Sequence, residues 1–134
     1  MSGRAGWLVL AVGLAAVAVH AQQLGQVFSF DTNAGQEVRV HQYARWNGRC
    51  EPEGEPTITM LTPPGGGRID LRREAKTDIG APRAGGTDCR GKAMPALSVY
   101  YIPRPEFHGA DHFDYQVAYG PHGTVHDSAF IQVR

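Results

Sequence analysis

The stretch Tyr101-Ile102-Pro103-Arg104-Pro105-Glu106-Phe107-His108-Gly109-Ala110-Asp111-His112-Phe113-Asp114-Tyr115-Gln116-Val117 decides the fold. Phe113, Tyr115 and Val117 alternate with the polar His112, Asp114 and Gln116, the period-two pattern of a strand with one buried and one wet face. Leu97, Val99 and Tyr101 alternate in the same way up to Pro103. Pro103 and Pro105 hold an extended entry and block pairing at a sheet end. Gly109 permits a turn geometry that a side chain would forbid, and Asp111 is placed to accept backbone N–H groups that the turn leaves open. Downstream, Gly120-Pro121-His122-Gly123 makes a hairpin turn, and Ala129, Ile131 and Val133 form the inward face of a final strand.

Toward the N-terminus the pattern persists between turn residues. Val27–Asp31 is a short strand, followed by a turn at Thr32–Gly35. Glu37–Tyr43 sets Val38 and Val40 on one face and Arg39 and His41 on the other. Arg45–Glu55 is a polar loop carrying Cys50. Thr57–Thr62 sets Ile58 and Met60 on one side, Pro63–Gly67 turns, and Arg68–Leu71 resumes with Ile69 and Leu71 inward. Arg72–Pro95, which contains Cys89, loses the alternation and is expected to be a long loop. About seven short strands and almost no helix signal predict an all-β fold, an antiparallel sandwich.

Tyr101, Pro103, Pro105, Phe107, Gly109, Asp111, Phe113, Tyr115 and Val117 together resemble the YxPxPxFxGxDxFxYxV closing half of bacterial Ig-like repeats of the cadherin-like kind. The likeness covers about 35 residues, counting the glycine turn and last strand. Ala34-Gly35-Gln36 before a strand, and Pro56–Ile69 as a strand–Pro-Gly–strand hairpin, add to it. The resemblance implies an Ig-like β-sandwich in which these residues build a scaffold. Such repeats usually occur in tandem arrays, with calcium held between consecutive domains by acidic linkers. One copy offers no second half for such a site, so no calcium and no other cofactor is carried over. The Arg72–Pro95 segment is extra to the usual repeat.

The first residues predict export. Arg4 is followed by the uncharged apolar run Trp7–Val19 and by Val19-His20-Ala21, a signal-peptidase pattern with cleavage after Ala21. The run is about 13 residues against the roughly 20 needed to span a bilayer; a retained anchor is the alternative. Residues 1–21 are therefore expected to be a signal peptide and 22–134 the Ig-like domain, periplasmic or secreted, with no membrane span in the mature chain. The whole chain carries 13 Lys and Arg against 13 Asp and Glu, and Arg4 leaves with the signal. Such a balance supplies no field that would steer the protein onto nucleic acid. The two cysteines, Cys50 and Cys89, predict one disulfide in an oxidising compartment. Metal-binding and redox pairs compete with that reading, and the wide spacing without a CxxC counts against both.

Candidates for chemistry are few. His108, His112, His122 and His126 lie near Asp111, Asp114 and Asp127. His112 and His126 are expected to approach across the last hairpin, which makes a Zn or Cu site the alternative function. Ser29, Ser98 and Ser128 sit in no glycine-rich elbow, and Glu51, Glu53 and Glu55 fall in a polar loop, so no catalytic residues are assigned and no enzyme is expected. Seven Lys or Arg against four Asp or Glu between Arg68 and Lys92 make a mildly basic loop. Tyr43, Trp46, Tyr100 and Phe130 are expected to contribute to an exposed contact patch, with Trp46 packing under the disulfide as the competing account. The leading expectation is a non-catalytic module that binds an envelope protein or glycan, or serves a structural role.

Overall fold

The alternation read from the sequence becomes two stacked sheets in a computed structural model, which describes residues 23–80 and 87–134. The expected signal peptide, 1–21, and residues 81–86 of the expected long loop lie outside the described residues. The strands are β1 (Gln23–Thr32), β2 (Val38–Tyr43), β3 (Thr57–Thr62), β4 (Gly67–Lys76), β5 (Met94–Pro103), β6 (Gly109–Ala118) and β7 (Thr124–Val133), with a short 3-10 turn at Gly120–His122. A four-stranded sheet has the order β1-β7-β6-β3, and a three-stranded sheet the order β2-β5-β4. This is an Ig-like β-sandwich of seven strands with one disulfide, Cys50–Cys89.

The core is made by the residues whose alternation announced it. Val99, Tyr101, Phe113, Tyr115 and Val117 are fully buried, joined by Val40, Ala129, Ile131 and Val133. Tyr101 stacks on Phe113, and Phe113 on Tyr115, giving the two sheets a continuous aromatic filling. Asp111 locks one end. Its carboxylate accepts the N–H groups of Gly65, Gly66 and His112 and the Tyr101 hydroxyl, at 2.7–2.9 Å. Burial opposes the charge, but the Tyr101 hydroxyl and the three N–H groups outweigh it and hold the Asp111 carboxyl below its ordinary pKa. Gly109 takes φ +117° at the entry to β6, as the turn required.

Several expectations change. Pro63–Gly67 does not close a hairpin: β3 pairs with β6 and β4 with β5, so the turn is an arch between sheets. The expected loop starts late, because β4 runs on to Lys76. Its second half, Arg72-Arg73-Glu74-Ala75-Lys76, shows no alternation because β4 is an edge strand whose inward positions are incompletely covered. For that reason Leu71 is 42% exposed although it faces the same side as Val99. In β2 a bulge between Arg39 and His41 turns His41 to the inward side, opposite Val99, not to the face of Arg39. Finally β1 pairs with β7 in parallel, alone among the pairings of the described strands. Gly25 lies at the irregular start of this pair, where a Cβ would stand 1.6 Å from the His126 carbonyl oxygen.

Candidate functional site

The links β2–β3, β4–β5 and β6–β7 gather at one end of the sandwich. Cys50 and Cys89 bind the first two together. Arg45 joins the first to the third, its guanidinium lying 5.4 Å from the Tyr119 ring centre and 3.5 Å from its carbonyl oxygen. The disulfide forms a small second core with Ile79 and Met94, against which Ala44 and Trp46 pack half-buried. Trp46 thus supports the disulfide.

Beneath this end lies a buried polar chain that the sequence reading missed. Asp127 is 2% exposed and projects from the inward face of β7. It accepts a bond from the Tyr43 hydroxyl and another, at 2.7 Å, from the Gln26 N–H. Tyr43 spends its one proton on Asp127, so the 2.8 Å contact between the Tyr43 and Tyr115 hydroxyls must run with Tyr115 as donor. Burial, the neighbouring Tyr115 and the Asp127 bond push the Tyr43 hydroxyl far above its ordinary pKa. The two phenols hold their protons, and the chain forms a structural brace. Tyr43 therefore belongs to the core and leaves the expected contact patch.

The remaining patch residues do not converge. Tyr100 lies on the outer face of the three-stranded sheet, its ring under the Arg72 guanidinium at 4.1 Å and its hydroxyl donating to Glu74 at 2.9 Å. Phe130 lies on the outer face of the other sheet and is 49% exposed. Its ring stacks on His112 at 5.0 Å. The imidazole is also held by Asp114, 3.0 Å from Nε2, and Asp114 accepts the Ser128 hydroxyl at 2.6 Å. That hydroxyl, with help from His112 and Thr62, holds the Asp114 carboxyl below its ordinary pKa. Val27 stands beside Phe130, since Val27 pairs with Ser128 and Ser29 with Phe130. A shallow concavity of about 330 Å³ adjoins the ring, floored in part by Ser29, Asp31, Ala110 and Gln132.

The histidines stay apart. Register places His112 opposite Phe130 and His126 opposite Gln116, so the two are four residues out of step, about 13 Å along the ladder. They do not approach across the hairpin. His122 sits in the 3-10 turn at the disulfide end, whereas His108 sits at the other end, in the β5–β6 link. Among the described residues no three His, Cys, Asp or Glu side chains converge on a metal position.

Ser128, Asp114 and His112 do form a linked trio, but in an order that activates nothing. The carboxylate sits in the middle, so the Ser128 proton points at Asp114 and no imidazole is poised to take it. What the trio does is order His112 against Phe130. No protein-family model matches the chain, and no curated protein matches its sequence.

Proposed function

We propose that this chain is an exported, non-catalytic binding module of the cell envelope, of the cadherin-like Ig kind, that holds a protein partner on the outer face of its four-stranded sheet. The observation that carries the reading is Phe130. A large ring is left half in water and is backed by His112, Asp114 and Ser128, so little side-chain freedom is lost when it is covered. Val27, 69% exposed beside it, widens the apolar centre, while Ser29, Asp31 and Gln132 give a polar rim. An aliphatic neighbour favours a protein over a sugar, which asks for a bare aromatic plane with polar groups around it. The disulfide supports an oxidising compartment, and no described helix is long and apolar enough to cross a membrane.

A photo-crosslinking residue placed at Ser29 or Gln132, both flanking the ring, tests the surface in intact cells. We expect a discrete protein adduct that disappears with Phe130→Ser and is absent when the probe sits at Arg49, exposed in the β2–β3 link at the disulfide end. Equal adducts from Arg49, or adducts indifferent to Phe130→Ser, refute the docking face, and retention on a glycan array in their place reassigns it to a sugar. An N-terminus at Gln22 in the cell-purified protein tests export.

A further inference from the structure

A different part of the molecule, the free side of β4, carries an inference independent of the docking face. Among the described residues β4 pairs only with β5. Which of its backbone groups face outward follows from three observations. The Arg104 N–H donates to the Gly66 carbonyl at 2.9 Å, so Gly66 and Arg104 form a hydrogen-bonded pair one step beyond Gly67 and Pro103. Such pairs recur at every second residue of an antiparallel ladder. The two prolines of β5, Pro103 and Pro95, stand opposite Gly67 and Ala75, where no N–H toward β4 is needed. Arg68, Asp70, Arg72, Glu74 and Lys76 therefore turn their backbone groups to β5. Gly67, Ile69, Leu71, Arg73 and Ala75 turn theirs to the open edge.

Charged side chains at an edge ordinarily discourage pairing with another strand. Here their order makes the edge complementary to itself. We propose that two copies of this chain associate through antiparallel β4–β4 pairing with the two-fold axis at Leu71, forming one continuous six-stranded sheet. In that register Leu71 meets its counterpart, Ile69 meets Arg73 and Gly67 meets Ala75, each through the outward-turned backbone groups, for about ten hydrogen bonds. The intervening close pairs set Arg68 against Glu74 and Asp70 against Arg72, each twice, on the outer face. Leu71, left 42% exposed in the single chain, is covered by its twin. Arg72 is already ordered by Glu37, Asp70 and the Tyr100 ring.

Neighbouring registers lose charge matches or ladder length. Centring on Asp70 opposes Asp70 to itself and Arg68 to Arg72. Centring on Arg72 opposes Arg72 to itself and Asp70 to Glu74. Centring on Arg73 opposes Arg73 to itself. Centring on Ile69 sets Arg68 against Asp70 but shortens the ladder to about six hydrogen bonds.

The test is analytical ultracentrifugation of the purified chain with two single variants, Arg68→Glu and Glu74→Arg. Each variant alone sets like charges opposite at both symmetric positions and is expected to sediment as a monomer where the wild type is a dimer. Mixed in equal amounts, they are expected to dimerise. The two substituted positions then face each other with opposite charge, and the unaltered Glu74 of the first variant faces the unaltered Arg68 of the second. Leu71→Cys is expected to form an intermolecular disulfide on mild oxidation, and Arg73→Cys is not. A wild-type chain that stays monomeric at the highest soluble concentration overturns the proposal. So does a mixture that remains monomeric, or Arg73→Cys crosslinking as readily as Leu71→Cys.

Discussion

Tyr43 and Asp127, 84 residues apart in sequence, meet inside the sandwich, where the phenol donates to a carboxylate that water scarcely reaches. The bond spans the two sheets, from the last residue of β2 to the fourth of β7, and Tyr115 extends it by one link. Tyr43→Phe removes the donor to a buried charge and strands the Tyr115 proton, so a loss of about 2–3 kcal/mol is expected. Tyr115→Phe takes away only the outer link and should cost about 1 kcal/mol. Urea midpoints of the two variants check this order, and equal midpoints would contradict it.

Acid should weaken the fold through His41. Burial between Phe28 and Tyr43 pushes its pKa below the ordinary 6.5, and Lys76 adds to this against the opposing pull of Asp127 and Asp78. The unfolded chain therefore takes up the proton first. The stability from a neutral His41 is present above the unfolded value and is lost as pH falls from about 6.5 toward the folded one. His41→Phe, which keeps a ring in the stack, is expected to flatten the stability profile between pH 7 and 5. A slope unchanged from wild type would assign it elsewhere.

Asp111 works in the same direction at lower pH. Its folded pKa lies below the ordinary 3.8, so its contribution is present above that value and is lost as pH drops through the folded one. Asp111→Ala frees the arch at Gly65 and Gly66 and orphans the Tyr101 hydroxyl. We expect a cost of about 3 kcal/mol at neutral pH, shrinking in acid. Thermal melts at pH 7 and pH 3 measure the difference, and a penalty independent of pH would speak against the charged cap.

Replacing both cysteines, Cys50→Ala/Cys89→Ala, is expected to lower stability by about 4 kcal/mol in the chain-entropy picture. The main core does not include the disulfide, so far-UV circular dichroism should stay that of a β protein while proteolysis begins in the β2–β3 and β4–β5 links. Cleavage first within β6 or β7 would mean the disulfide holds the whole sandwich.

How much could be read ahead of the structure depended on how locally each feature is determined. The bounds of β3 and the inward sets of β5, β6 and β7 were legible because a buried face imprints its period on consecutive residues. The tail of β4 was not, since Arg73 and Ala75 sit on an uncovered edge and carry no such imprint. Tyr43 looked like a surface aromatic because its partner, Asp127, is remote in sequence and an acid there suggests solvent. The supposed meeting of His112 and His126 failed on hairpin register. The turn is closed by the Tyr119 N–H on the Gly123 carbonyl, and that choice shifts every cross-strand neighbour. Phe130 was placed outward correctly, but its backing by His112 rests on that same register.

The parallel seam between β1 and β7 bears on when the protein acquires its shape. Until β7 is made, β1 has no neighbour in its sheet, β6 has only β3, and the phenol of Tyr43 lacks its carboxylate. A nascent chain short of these ten residues cannot close either its sheet or its core. Acquisition of shape is thus deferred until synthesis has passed Val133, so the order of the strands along the chain sets the order in which the fold can close.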